Sequence, residues 1–468
     1  MKWHNIRSTN PVHRSRLLTG IVCLVSLAAI ACGPILAQGN GEGTQKDAPA
    51  ADAVTITLEE AIRRAEANEP SYAAALAQSR TSALDRSIAR ADLLPSVAYN
   101  NQGIYTQPNG QYGIVAEGTS PQPLPKFIAN NGVREYVSQA AVTETLGMAQ
   151  FAGVQRADAA AAQAAAELEI ARRGLVSAVT GLYYGLAAAD GKLAVAARAR
   201  AEAVDFTKLT TEREQAREAA HADAVKAQLQ QQQRDRDFSD AQLAAGKARL
   251  ELGVLLFPDP RTPYTLSISG AIAPLASREE VNQAAARNNP ELKSALAALS
   301  ASNADVLAAR GAYLPELGLN FNYGIDSPQF AANGLDHARN LGYSAVVTLN
   351  IPVWDWLSTE HKVKQSEIRR DVARVALSAT QRQLIAHLDE TYAEAEAARG
   401  QLASLDASVA TAAESLRLTK LRYTGGEATV LEVVDAQTSL LTTENQREDG
   451  FVRYQLALAD LQTLTGSM

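Results

Sequence analysis

The chain of 468 residues has room for roughly two or three ordinary domains or for one large extended one. Hydrophobic residues make up 46% of it but aromatic residues only 5%, and alanine and leucine dominate, which favours long helices with close-packed faces. The net charge of -7, from 44 basic and 51 acidic residues, provides no basic field for phosphates and argues against nucleic acid as a partner.

The N-terminus has the features of an export signal. Basic residues precede the apolar run "LLTGIVCLVSLAAIAC", which is too short for a permanent membrane helix. We predict that residues 1–37 are this signal, with cleavage either before Cys32, a lipidation candidate in "AAIAC", or after Ala37 in "PILAQ". Cys32 is equally well explained as one more apolar residue of the signal. The only other cysteine, Cys23, lies in the same run, so no disulfide within the exported chain is expected.

After a polar linker at 38–53, the sequence contains an internal duplication. "RRAEANEPSYAAA" has its counterpart in "QAAARNNPELKSA", with Pro70 matched to Pro290 220 residues later. A second block, "LYYGLAAADGKL" against "TYAEAEAARGQL", matches at an offset of 209 residues. We therefore predict two structural repeats, 54–270 and 271–468.

Each repeat contains one long and two shorter helical runs. The proline-free stretches 152–220 and 354–423 predict helices about 100 Å long at a rise of about 1.5 Å per residue. Two shorter runs laid end to end match one long run, so we expect four helical columns that pack side by side. The shorter runs are 222–256 with 279–313, and 428–465 with 59–93.

Two segments of the second repeat alternate as β-strands do. "PELGLNFNYGI" places Leu319, Phe321 and Tyr323 on one face and Asn320 and Asn322 on the other, and "GYSAVVTLNIP" follows the same pattern. A soluble sandwich also contains strands with one wet face. Here, however, the strands come only as two hairpins, and each has about 10 residues, the length of a tilted membrane-crossing strand. We therefore favour membrane strands.

The strands of the first repeat, "PSVAYNNQGIY" and "YVSQAAVTETL", alternate less regularly, and one register places Glu144 on the apolar face. No segment after the signal is apolar for long enough to form a transmembrane helix, so any membrane crossing is expected through strands. Four strands cannot close a barrel, and lipid does not tolerate open sheet edges. The pattern therefore predicts a homo-oligomer.

The sequence carries no constellation for catalysis. It has six histidines but no HExxH motif, no Cys/His cluster, no GxSxG and no glycine-rich phosphate loop. We predict no enzyme activity, no cofactor and no metal site. Because a nucleotide motif is absent, any transport is expected to be driven by a partner.

Nearly the whole chain after the linker resembles the TolC-like outer-membrane efflux proteins, the exit ducts of tripartite pumps and type I secretion systems. The resemblance is carried by "NNPELKSA", "VTLNIPVWDW" and "RYTGGEATVLEVVDAQTSLL", in the order found in the family. It implies a mainly α fold with a membrane β-barrel contribution. Duplicated long-helix hairpins would form an α-barrel, and four strands per protomer would complete a trimeric twelve-stranded β-barrel.

The same resemblance implies a passive channel in the outer membrane with a long periplasmic portion. Its partners would be two further copies of the chain, outer-membrane lipid, a periplasmic adaptor protein and an inner-membrane pump. The alternative is a periplasmic coiled-coil adaptor or scaffold that forms no channel, which would not need alternating strands in both repeats.

By resemblance, "YTGGEATV" is the turn at the periplasmic tip, where Tyr423, Gly425 and Gly426 contact the adaptor. Glycine suits a reversal there because it adopts positive φ without penalty. Glu432 and Asp435 lie three residues apart, on one face of the returning helix, and by resemblance they line the closed pore. Carboxylates crowded there by three protomers would repel each other, and we expect their pKa values to be raised.

The matching turn of the first repeat departs from this pattern. Ala216 and Arg217 stand where the glycines do, so we expect a looser or differently placed turn that also contacts the adaptor. Asp223 and Lys226 stand opposite Glu432 and Asp435 in the constriction. The reversed charge at Lys226 suggests the hypothesis that it pairs with an acid of a neighbouring hairpin and helps to close the entrance.

Overall fold

The computed structural model describes residues 54–105, 134–268, 274–334 and 339–466. The predicted export signal, Cys32 and the linker lie outside these residues. In chain order the elements are β1 (Val54–Ile56), α1 (Leu58–Asn68), α2 (Pro70–Ala91), β2 (Ser96–Tyr105), β3 (Arg134–Leu146), α3 (Met148–Gln215), α4 (His221–Leu256), β4 (Tyr264–Leu266), α5 (Arg278–Asn288), α6 (Pro290–Gly311), β5 (Glu316–Ser327), β6 (Leu341–Asn350), α7 (Ser358–Thr424) and α8 (Val430–Thr465).

The two long helices are present. Helices α3 and α7 have 68 and 67 residues, and a rise of about 1.5 Å per residue makes each about 100 Å long. Both lack internal proline, and alanine supplies many of the buried positions of α3, which lets neighbouring helices approach closely. Within the described ranges, none of the helices combines the length and the hydropathy that a membrane span requires.

The shorter runs 59–93 and 279–313 are each two helices, so the prediction of uninterrupted runs is wrong. The breaks fall at Glu69 and Asn289, whose ψ angles of 116° and 122° are extended. Each of these residues precedes a proline, and the proline ring disfavours the helical conformation for the residue before it. Pro70 and Pro290 then begin the next helix, where their missing N–H is not needed.

The shorter helices also meet in a different combination from the predicted one. The side chain of Asn68, at the end of α1, donates to the carbonyl oxygen of Leu256 at the end of α4, at 3.1 Å. Arg173 likewise donates to the carbonyls of Thr463 in α8 and Asn288 in α5, at 2.7 and 3.3 Å. Helix α4 therefore ends at the α1–α2 junction, and α8 ends at the α5–α6 junction.

Strands β2, β3, β5 and β6 form an antiparallel sheet in the order β2-β3-β5-β6, and β1 pairs with β4 in a separate two-stranded parallel sheet. Glu144 pairs with Leu319 and Val142 with Phe321, so Glu144 lies on the apolar face, and this settles the register that the sequence left open. Several large apolar side chains of this face are exposed in the protomer. They include Val97, Tyr99, Phe321, Tyr323, Tyr343, Val347 and Leu349. Strands β2 and β6 are the two edges of the sheet.

Candidate functional site at the helical tip

The tip consists of two helix-to-helix turns, 216–220 between α3 and α4 and 425–429 between α7 and α8, which have the same geometry. Glu218 donates its N–H to the carbonyl of Arg213, and Glu427 donates to that of Arg422, both at 2.8 Å. Each turn contains one residue in the left-handed region, Arg217 with φ 63° and Gly426 with φ 80°. This is the Schellman arrangement that closes many helices. The prediction of a looser turn in the first repeat is therefore wrong.

Replacing Arg217 with glycine is expected to stabilise its turn by about 0.5–1 kcal/mol, because a side chain disfavours positive φ and glycine does not. The greater conformational freedom of glycine in the unfolded chain offsets part of this stabilisation, so the net gain is smaller. Hydrogen exchange of the amides at 213–220 should slow in Arg217→Gly. The matched control, Gly426→Ala, should accelerate exchange at 422–429. Faster exchange at 213–220 in Arg217→Gly would contradict the prediction.

Tyr423 lies at the tip as predicted, but its side chain is buried, with 5% of its surface exposed. Its ring packs edge-on against that of Phe206, with 5.1 Å between centroids, and its hydroxyl donates to Oγ1 of Thr210 at 3.4 Å. The assignment of Tyr423 to an adaptor contact is therefore wrong, because its ring belongs to the interior of the tip. The buried members of this tip core are Phe206, Ala227, Leu416, Tyr423, Val430, Val433 and Ala436.

Arg213 connects the two turns, and the sequence analysis missed it. Its guanidinium lies over the ring of Tyr423, 5.0 Å from the centroid, and its Nη1 donates to the backbone carbonyl of the same residue. Its Nε lies 3.6 Å from a carboxylate oxygen of Glu218. The repeat offset of 209 residues matches Arg213 with Arg422, which ion-pairs with Glu432 at 3.3 Å. Comparison of the repeats could therefore have identified both arginines.

Glu432 caps the start of α8. Its carboxylate accepts hydrogen bonds from the N–H and the hydroxyl of Thr429, both at 3.1 Å, while its own N–H donates to the Thr429 hydroxyl at 3.4 Å. The N–H of Thr429 first, then its hydroxyl and the charge of Arg422, hold the pKa of Glu432 below its usual value. The expectation of raised pKa values concerns carboxylates crowded by three protomers, so it stays a prediction; within one protomer the pKa of Glu432 is lowered. The T-x-x-E pattern was visible in the sequence as a capping box.

The other three predicted constriction residues lie on the first turns of the returning helices. Asp435 and Lys226 are exposed, and Asp223 is partly buried. Among the residues that the structure describes, no ion pair involves any of the three, so Lys226 has no acidic partner inside the described protomer. The same residues contain no group of three or more His, Cys, Asp or Glu side chains that could hold a metal ion.

The chain is similar to outer-membrane transport proteins. A family model described as outer membrane efflux protein matches residues 281–467. Protein CyaE of Bordetella pertussis is 27% identical over 424 residues, which cover 87% of this chain and 82% of CyaE. Outer membrane protein OprJ of Pseudomonas aeruginosa is 30% identical over 172 residues, 37% of this chain and 36% of OprJ, so that match spans about a third of the relative.

Solved structures show the same fold. A membrane protein from Pseudomonas aeruginosa is 24% identical and superimposes with a TM-score of 0.73, covering 87% of this chain and 93% of the other. VceC from Vibrio cholerae gives the same TM-score at 17% identity and covers 87% of this chain and 96% of its own. Together with the sequence relatives, these similarities confirm the predicted resemblance to the TolC-like outer membrane efflux proteins.

Proposed function

We propose that three copies of the chain form a channel across the outer membrane and the periplasm, the passive exit duct of a tripartite efflux or type I secretion system. The observation that carries the proposal is the four-stranded sheet, whose apolar face is exposed and whose two edge strands have no further partner strand among the described residues of the protomer. Lipid covers such a face, and only other copies of the sheet can pair such edges inside a membrane. A periplasmic scaffold would have no use for either feature.

The relatives support a duct whose cargo is chosen by its partners. One is named as a protease secretion protein and another as the outer membrane protein of a solvent efflux pump, so similar chains serve polypeptides and small molecules. A periplasmic adaptor and an inner-membrane pump would supply both selectivity and energy. The tip would face these partners, with Gly425, Gly426, Ala216 and Arg217 at its surface.

The acids of the tip would form a constriction in the trimer. Asp435 is exposed on the same helix face as Glu432, three residues away, and has no ion pair in the described protomer. Three copies around one axis would bring these carboxylates together, so the entrance would attract cations. Asp435 is the stronger candidate for the pore because Glu432 already caps α8 and pairs with Arg422.

Single-channel conductance in planar bilayers tests this function. The change is Asp435→Asn, compared with Glu432→Gln, which keeps a side chain that can cap the helix. We expect low-conductance, cation-selective openings for the wild type and a loss of selectivity that is larger for Asp435→Asn, because its charge is not otherwise engaged.

Lys226→Glu, measured in parallel, tests the hypothesis that Lys226 helps to close the entrance. Unchanged conductance would reject that hypothesis. If no heat-modifiable trimer is extracted from outer membranes, the scaffold interpretation replaces the channel.

A further inference from the structure

The connection between β6 and α7, residues 351–357, presents three large apolar side chains to the outside. Val353, Trp354 and Trp356 are 89%, 68% and 84% exposed in the protomer. The two indole rings touch edge to face, with 5.8 Å between centroids. We call residues 351–357 the Trp loop. The corresponding connection in the first repeat consists of Gly147 alone, so the loop belongs only to the second repeat.

The backbone of the Trp loop is strained. Trp356 and Leu357 have φ angles of 58° and 63°, two consecutive bulky residues in a region that glycine normally occupies. Asp355 fixes the loop from the helix side, because its carboxylate accepts hydrogen bonds from the N–H and the hydroxyl of Thr359, at 2.7 and 2.5 Å. Strain of this kind persists where the surrounding structure imposes it, and it is concentrated at sites of function.

The loop continues the apolar face of the sheet. Tyr343, Val347 and Leu349 of β6 are exposed on that face, and Ile351 and Val353 follow with 56% and 89% exposure. Residues 340–354 contain no charged side chain. Directly below, in the first turns of α7, Lys362 is exposed and Lys364 is ion-paired with Glu360 at 2.5 Å.

The order of side chains, from the apolar face of β6 through the tryptophans to lysine, matches the boundary of a bilayer. Apolar side chains suit the acyl chains, and tryptophan suits the boundary layer because its ring is apolar and its N–H can donate to headgroups. Lysine below it can approach lipid phosphate. A protein partner in water would not need the apolar face of the sheet to run without interruption into the loop.

We propose that the Trp loop seats in the headgroup boundary of the leaflet nearer the helices, and that its strained backbone holds both indoles ready for that contact. The two indoles set the depth of the protein in the membrane. The proposal rests on the proposed membrane insertion of the sheet. Its occupant is phospholipid, and coverage of the loop by a neighbouring protomer is the competing outcome.

Tryptophan fluorescence tests the proposal directly. The chain has three tryptophans, and the third, Trp3, lies in the predicted export signal, so the exported protein would emit only from the Trp loop. The full-length exported protein is reconstituted in vesicles of phosphatidylglycerol and phosphatidylethanolamine. The vesicles carry lipid brominated either near the headgroup end or near the methyl end of the acyl chain. Trp354→Phe/Trp356→Phe is the control that reports emission from any other source.

Quenching by the shallow bromines should exceed quenching by the deep ones by about twofold or more, because indoles concentrate at the interface. Leu357→Gly, which keeps both indoles but removes strain, should reduce that ratio; an unchanged ratio would overturn the role given to the backbone. Conductance is recorded on the same vesicles. Conducting channels without quenching would overturn the Trp-loop proposal and leave the channel function intact. Tryptophan emission that does not change with the lipid would have the same meaning, because a neighbouring protomer would then cover the loop. Absence of both conductance and quenching would overturn both.

Discussion

Replacing Gly324 with alanine is expected to abolish the heat-modifiable trimer in outer membranes. A Cβ atom at this position would lie 2.1 Å from the carbonyl oxygen of Ser138 and 2.6 Å from the Cα of Gln139, both backbone atoms of the neighbouring strand. Neither can move aside as a flexible side chain could. Crowding of a packed site costs about 1–3 kcal/mol and more where the backbone must shift.

Because of the position of Gly324, the crowding is expected to disturb the pairing of the whole sheet. It pairs with Gln139 in the ladder that joins β5 to β3, and this ladder connects the two hairpins of the sheet. A local separation of the strands there would leave backbone groups unpaired, which is especially costly in lipid. A slip by one residue would instead reverse the apolar and polar faces. Both routes interfere with insertion and assembly.

The same sheet offers matched controls, one in β5 and one in β6. At Gly318 an added Cβ would have its nearest neighbour, the Cβ of Thr348, at an ordinary distance of 3.7 Å, and at Gly342 nothing lies within 4 Å. Gly318→Ala and Gly342→Ala should therefore assemble as the wild type does. The measurement is the amount of heat-modifiable trimer on gels of outer-membrane fractions. Equal trimer in Gly324→Ala and Gly318→Ala would show that the β3–β5 pairing differs from the one described.

Local composition made the helices predictable, whereas their interruptions depend on single residues. The presence and length of α3 and α7 follow from long proline-free, alanine-rich stretches, a signal summed over many residues. Their ends differ by one to five residues from the predicted runs 152–220 and 354–423. The breaks at Glu69 and Asn289 each depend on one proline, which we used only as a marker of the repeat. The rule for the residue before proline would have located both breaks.

At the tip, local sequence patterns predict the turn and the helix cap but not the conformation of Arg217 or the burial of Tyr423. The glycines of "YTGGEATV" correctly predicted a turn, and the threonine and glutamate of the capping box were readable in the same stretch. Arg217 takes a conformation typical of glycine because the matching end of α3 is closed in the same way, which its residue type does not predict. The burial of Tyr423 depends on Phe206, 217 residues earlier, and no neighbouring residue reveals that contact.

Replacing Tyr423 with alanine is expected to destabilise the tip by about 3–5 kcal/mol, the usual cost of truncating a large buried aromatic side chain. The change would leave a cavity beside Phe206 and Thr210 and remove the ring beneath the guanidinium of Arg213. The conservative variant Tyr423→Phe loses only the hydroxyl, whose hydrogen bond to Thr210 is long at 3.4 Å, so its cost should be at most about 0.5–1.5 kcal/mol.

Two measurements separate these variants. Hydrogen exchange at 416–430 reports local opening of the tip, and it should accelerate strongly in Tyr423→Ala and little in Tyr423→Phe. Single-channel recording reports the consequence for the proposed pore. Because the tip core draws on α3, α4, α7 and α8, loosening it frees both turns from each other, and Tyr423→Ala should open to a higher conductance than the wild type. If Tyr423→Ala exchanged and conducted as Tyr423→Phe does, the tip core would not be what keeps the entrance closed.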